Sequence, residues 1–204
     1  MKYVDLLIKS NPPLSCCEQD IRKTIEMILS MHRNGSKLLL CGNGGSAADC
    51  SHIAGELLKG FLLKRSITES DRRVLSDLPH KEALQRGICA ISLPDQGAVL
   101  SAYANDEVPD MVYAQLVYAM HGKGDVFLGL STSGNSKNVL YAAQCAKSLG
   151  LTTIAMTGQN GGKLAEICDI VIRVPATETY LVQEYHLPIY HAICAQVEED
   201  LFGN

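Results

Sequence analysis

A doubly wound α/β fold on a five-stranded, mostly parallel sheet flanked by helices is what this chain predicts, on three observations. Short continuous apolar runs, such as Lys37-Leu38-Leu39-Leu40-Cys41 and Asp125–Leu130, read as strands buried on both faces. Segments with apolar residues at helical spacing alternate with those runs. Turns rich in glycine or serine follow the strands, beyond their carboxyl ends, where ligands of such folds bind.

Taken in order, residues 1–35 are N-terminal helices. The clear one covers 17–34, where Ile21, Ile25, Ile28 and Leu29 recur at helical spacing and Asn34-Gly35 supplies a stop. Its apolar face is compatible with packing on another subunit. A strand at 37–41 ends in Gly42-Asn43-Gly44-Gly45-Ser46, and 47–59 resumes a helical pattern. Strands follow at 88–93, 125–130, 152–156 and 169–174, with helices at 95–104, 108–120 and 136–149 and a short one after Thr157–Gly162. A closing helix spans 179–201, in which Pro188 predicts a kink or a later start. The segment 61–86 differs: it carries Lys64, Arg65, Glu69, Asp71, Arg72, Arg73, Asp77, Lys81 and Glu82 without a clear period. It reads as a partly helical surface excursion with solvated charges, though its length is unusual for a mere connection.

With 204 residues, 47% of them apolar, the chain suits one domain over 1–204 with a full core. A net charge of −4 disfavours direct binding of nucleic acid. No run of 18 apolar residues exists and Met1–Asp5 has no signal-peptide pattern, so no membrane span is expected and the location should be cytoplasmic. The eight cysteines form no C-x-x-C pair, and Cys41, Cys89, Cys145 and Cys194 lie in apolar segments, so they read as free, buried thiols.

Two turns carry chemistry. Ser131-Thr132-Ser133-Gly134-Asn135-Ser136 places hydroxyls and unpaired backbone N–H groups at a helix start, an arrangement suited to a phosphate monoester. One capping residue would suffice for the helix alone. Gly42–Ala47 satisfies the G-x-G-x-x-A dinucleotide pattern, but no second strand with an acidic end follows about 20 residues on. No nucleotide cofactor is expected. On the helix behind this turn His52 and Glu56 are four residues apart and share a face. The closing helix carries Gln183, Glu184, His186 and His191. A carboxylate and an imidazole across a sugar phosphate serve proton shuttling between adjacent carbons. The same His, Glu, Gln, His set suits a divalent zinc-like ion, and the two roles compete because a metal-bound group is a poorer base.

Cys41–Asp49 with His52 and Glu56, the run Ser131–Ser136, and Gln183-Glu184 with His191 together resemble the sugar isomerase (SIS) domain family, nearest its phosphoheptose isomerases. The resemblance runs from about residue 20 to the end. It implies a single SIS domain with a five-stranded parallel sheet, a homotetramer with active sites shared between subunits, and conversion of sedoheptulose 7-phosphate to a mannoheptose 7-phosphate. Position by position it implies Glu56 as general base and His191 as general acid. Ser131, Thr132, Ser133 and Ser136 would hold the phosphate, and Asn43, Gly44, Ser46, Asp106 and Gln183 would meet the substrate. Some relatives bind zinc at positions matching His52, Glu56, Gln183 and His191. Three departures stand out: Tyr180 replaces an acidic residue, with Glu178 nearby; Gly60 replaces an arginine for which Lys59, Lys64 or Arg65 could substitute; and the excursion to Arg86 is long. The implied reaction is aldose–ketose isomerisation through an enediol. The alternative is a non-catalytic SIS protein that binds a sugar phosphate or the bacterial replication initiator.

Overall fold

Leu38–Cys41 (β1) is an unbroken apolar run, and every residue of it is buried. Val126–Leu130 (β3) follows the same logic, while Ala90–Ser92 (β2), Thr152–Thr157 (β4) and Ile170–Arg173 (β5) have apolar centres with polar or less buried ends. The computed structural model describes residues 1–203 and joins these strands into one fully parallel sheet in the order β2–β1–β3–β4–β5. Strand periodicity splits the core into two halves. Leu38, Leu40, Val126 and Leu128 face one side, while Leu39, Cys41 and Phe127 face the other.

Helices cover both faces, as parallel strands require. Lys2–Ser10 (α1), Glu18–Arg33 (α2), Gly45–Leu58 (α3) and Thr179–Phe202 (α9) pack on the first face. Gly97–Asp106 (α5), Val112–Met120 (α6), Lys137–Ser148 (α7) and Leu164–Ile167 (α8) pack on the second. From β1 the chain turns first to β2 and then crosses to β3 on the opposite side. That reversal leaves a crevice beyond the carboxyl ends of β1 and β3, where Gly42–Ser46 and Ser131–Ser136 both emerge.

Several expectations change on contact with the structure. The apolar face of α2, offered above as a subunit contact, is buried in this chain's own core through Ile21, Ile25, Ile28 and Leu29. The closing helix runs unbroken from Thr179 to Phe202, so Pro188 marks no later start. All eight thiols are free, but Cys89 is exposed and Cys145 half-buried, unlike the buried Cys41 and Cys194. The excursion contains a short α-helix, Glu69–Val74 (α4), opened by a Thr68–Asp71 capping box, and a 3-10 turn at Lys81–Ala83, and it closes on itself through a Ser66–Gln85 bridge.

The charges of the excursion are not all solvated. Arg65 is fully buried beside the equally buried Glu198 of α9, with Nε 2.7 Å from Oε1. Its other nitrogens donate to the carbonyls of Leu57 (2.6 Å) and Glu56 (2.9 Å). The Glu198 carboxylate also accepts the backbone N–H groups of Phe61, Leu62 and Leu63. Burial would raise this carboxyl, but the backbone donors and the Arg65 guanidinium hold it below its ordinary value of 4.5. A depressed folded value means that the pair's stabilisation is complete above pH 4.5 and fades as pH falls through the folded value. Removing one partner strands the other charge in the core. Arg65→Met should therefore cost about 3–5 kcal/mol, read as a lower denaturant midpoint with an unchanged slope.

Candidate active site

The turn after β3 is held by the neighbouring loop. Thr132 accepts the Gly158 N–H through its carbonyl at 3.0 Å, and Ser131 donates its N–H to Met156 at 3.1 Å. Gly134 adopts φ +66°, and a Cβ there would meet the Gly161 carbonyl oxygen at 1.9 Å, so no larger residue fits this turn. Ser131 Oγ lies 3.0 Å from Ser136 Oγ, and Ser133 Oγ accepts the Asn135 N–H at 3.1 Å, which leaves the Ser133 hydroxyl proton free. Ser136 caps α7 without bonding its first turn through the side chain. Hydroxyl donors thus gather at a helix N-terminus, where an anion is favoured.

This turn forms one wall of a cleft of about 360 Å³, and Asn43, Gly44, Gly45, Ser46, Thr179 and Gln183 form the other. α9 approaches α3 so closely here that a Cβ on Gly45 would lie 2.6 Å from Gln183 Nε2. Asn43 pairs face to face with Asn138 of α7 through two amide bonds of 2.8 and 2.9 Å. Asn138 was not among the expected site residues, because nothing in a helical pattern marks a partner 95 positions away.

Further along the same two helices stands a second cluster. His52 Nε2 lies 3.2 Å from Glu56 Oε1 and 3.4 Å from His191 Nε2, so the expected base and acid flank one imidazole. Tyr190 Oη contacts His52 Nδ1 at 3.0 Å and donates to Asp49 Oδ1 at 3.1 Å. Asp49, His52 and Glu56 follow at i, i+3 and i+7 on one face of α3, a spacing legible in the sequence; Tyr190 had no such signal. Burial raises the Asp49 carboxyl and the Tyr190 phenol. The His191 imidazole is lowered, first by burial and then by neighbouring His52, with Glu56 opposing. Glu56 Oε2 is buried without a hydrogen-bond partner among the described residues, its nearest cation being Lys59 Nζ at 3.6 Å. Of the three substitutes for the missing arginine, Lys59 stands beside the Glu56 carboxylate, whereas Arg65 is tied to Glu198 and reaches only the Glu56 backbone carbonyl. His186 is buried with neither ring nitrogen hydrogen-bonded among the described residues, and burial pushes it down to about 4.

The expected residues fall into three places. Ser131, Thr132, Ser136, Asn43, Gly44, Ser46 and Gln183 share the cleft, with Ser133 of the same turn in an adjoining pocket beside Gly158 and Gln159, whereas His52, Glu56 and His191 cluster roughly 15 Å further along α3, counted from Ser46 to Glu56. Asp106 lies apart, in a groove of about 600 Å³ with Tyr103, Glu107 and Gln115, so one chain does not bring it to the others. No group of three or more His, Cys, Asp or Glu side chains among the described residues is arranged to hold a metal ion as the side chains stand. Gln183 faces the serine cleft rather than the histidine pair.

Residues 101–198 match the model of the SIS domain family. The chain is 42% identical over 176 residues to phosphoheptose isomerase 2 of Campylobacter jejuni, covering 86% of this chain and 78% of that one. Among solved structures it resembles the phosphoheptose isomerase of Neisseria gonorrhoeae, with a TM-score of 0.76 and 30% identity over 96% of this chain and 94% of that one. The phosphoheptose isomerase of Francisella tularensis gives a TM-score of 0.79 at 28% identity over 97% of this chain and 95% of that one.

Ser136→Ala removes the hydroxyl that meets Ser131 and one donor toward an anion in the cleft. Loss of one such bond, worth about 0.5–1.5 kcal/mol, should weaken binding of inorganic phosphate by roughly 2–12-fold in a calorimetric titration, with Tm unchanged.

Proposed function

Because the chain belongs to the phosphoheptose isomerase family of SIS-domain proteins, we propose that it interconverts sedoheptulose 7-phosphate and D-glycero-D-manno-heptose 7-phosphate. The observation that carries this reading is the shared imidazole of His52, which brings Glu56 and His191 to one point on the helix pair that also lines the serine cleft. The phosphate would dock against Ser131, Thr132, Ser133 and Ser136, so that binding energy far from the reaction places the reacting carbons. The separation along α3 suits an elongated sugar whose phosphate is remote from its carbonyl.

Glu56 removes the proton from carbon 1 of the ketose, and His191 gives a proton to the carbonyl oxygen at carbon 2. The enediol that forms is reprotonated at carbon 2 while the carbon 1 oxygen gives up its proton, leaving the aldose. Each well-placed acid or base of this kind contributes about 10²–10⁴-fold. The unpartnered Glu56 Oε2 is consistent with a carboxylate kept free for a substrate proton.

Zinc would be held by His52, Glu56 and His191, with Gln183 turned in from the cleft. The donor types suit zinc, although among the described residues these side chains do not stand arranged around an ion, so holding one would require them to turn toward a common point. A zinc ion there would act as a Lewis acid toward a sugar oxygen and would compete for Glu56 and His191, which the proton steps above use unliganded. We place the protein in the cytoplasm, a setting supported by eight free thiols; no helix among the described residues is long and apolar enough to cross a membrane. A homotetramer with shared sites would supply Asp106 from a neighbouring subunit, and exposed Leu6, Leu58 and Leu62 favour such contacts.

Glu56→Gln should lower kcat by at least about 10²-fold while the sugar phosphate still binds, as followed by aldose formation and by thermal shift. Turnover near that of the unaltered protein would remove Glu56 from the base role. Titration with zinc in a calorimeter should show saturable binding that His52→Ala abolishes, and the mass by light scattering should be four times that of the chain.

A further inference from the structure

The fully buried Arg65–Glu198 pair touches every element that carries the acid–base cluster. We propose that it is a positioning device for Glu56 and His191, two residues that it does not itself contact through their side chains. This inference rests on the acid–base reading of those two residues.

Stability alone is a poor reason for the pair, since well-packed apolar residues in place of a buried ion pair are often neutral or stabilising. What apolar residues cannot do is hold backbone. Arg65 donates to the carbonyls of Glu56 and Leu57, fixing the last turn of α3 at the residue that bears the carboxylate. Its planar fork reaches both carbonyls and the Glu198 carboxylate together, which a lysine cannot match. Glu198 gathers the N–H groups of Phe61, Leu62 and Leu63 into a strap running from the end of α3. That strap sets the Phe61 ring against the His191 ring, with centroids 5.7 Å apart. Glu198 also lies seven residues after His191, two turns along the same face of α9. A single pair thereby fixes the end of α3 under Glu56, the ring beside His191, and the spacing of α3 from α9.

Two variants separate positioning from mere stability. In Arg65→Met/Glu198→Leu the charges leave together, so the fold should be kept and Tm should fall less than in Arg65→Met, the remaining loss coming from the backbone groups left without partners. In Glu198→Gln the shape stays while the acceptor for three N–H groups is weakened. Both should lose kcat by about 10–100-fold, since a misplacement of about 1 Å costs on the order of 10²-fold. The KM for sedoheptulose 7-phosphate and the affinity for inorganic phosphate should stay within about twofold, because the serine turn lies outside the strap. Amide hydrogen exchange at Phe61–Leu63 should rise at least tenfold in the same proteins. Unchanged kcat in a folded double variant, or unchanged exchange at Phe61–Leu63 in Glu198→Gln, overturns the inference. If the double variant does not fold, Glu198→Gln decides by the same split, and a kcat that falls only with the folded fraction counts against positioning. Absence of isomerase turnover in the unaltered protein would instead overturn the functional reading, and the exchange measurement would still judge the link between pair and strap.

Discussion

Two helices laid side by side with the same polarity, α3 and α9, set the spacing of almost everything this end of the sheet presents. Gln183 meets Gly45 at the first level, Tyr190 and His191 meet Asp49 and His52 at the second, and Glu198 meets the strap beyond Leu58 at the third. The absent side chain at Gly45 permits the close approach at one end, and the buried ion pair fixes the other. Between them the serine-lined cleft and the His52–Glu56–His191 cluster face the same seam at a distance set by helical rise. Moving either helix along its axis would break all three levels at once, so the pairing has little freedom to slide.

The sheet supplies the other half of the geometry. Reversal of strand order between β1 and β3 brings two turns distant in sequence to one crevice. One turn emerges into α3 and so leads directly to His52 and Glu56. The other emerges into α7 and is stiffened by the loop after β4, which fills the space a Cβ at Gly134 would need. A rigid anion cradle beside a rigid helix suits a reaction in which the phosphate end of the substrate is anchored and the carbonyl end is acted upon.

Much of this was legible in the residues, for physical reasons that differ by element. The five strands were found because each has an apolar stretch, uninterrupted and fully buried in Leu38–Cys41 and Val126–Leu130 and bounded by polar residues in the others. The serine turn and the His52–Glu56 pair were found because local spacing alone puts their side chains together. Arg65 was misread as a solvated charge because its partner, Glu198, is 133 positions away and nothing in a charged stretch distinguishes a buried guanidinium from an exposed one. Asn138 and Tyr190 were missed for the same reason: each acts through a contact that exists only after the sheet and α9 are assembled. Asp106 shows the opposite limit, since a motif assigned it to the site while one chain leaves it in a separate groove.

The central claim is that a proton moves between adjacent carbons of a phosphosugar held by its phosphate. Incubating the protein with sedoheptulose 7-phosphate in deuterium oxide and examining the aldose product by NMR tests this most directly. The account predicts an aldose heptose phosphate carrying solvent deuterium at carbon 2. An aldose product with no deuterium at that carbon, or no aldose product at all, would contradict it.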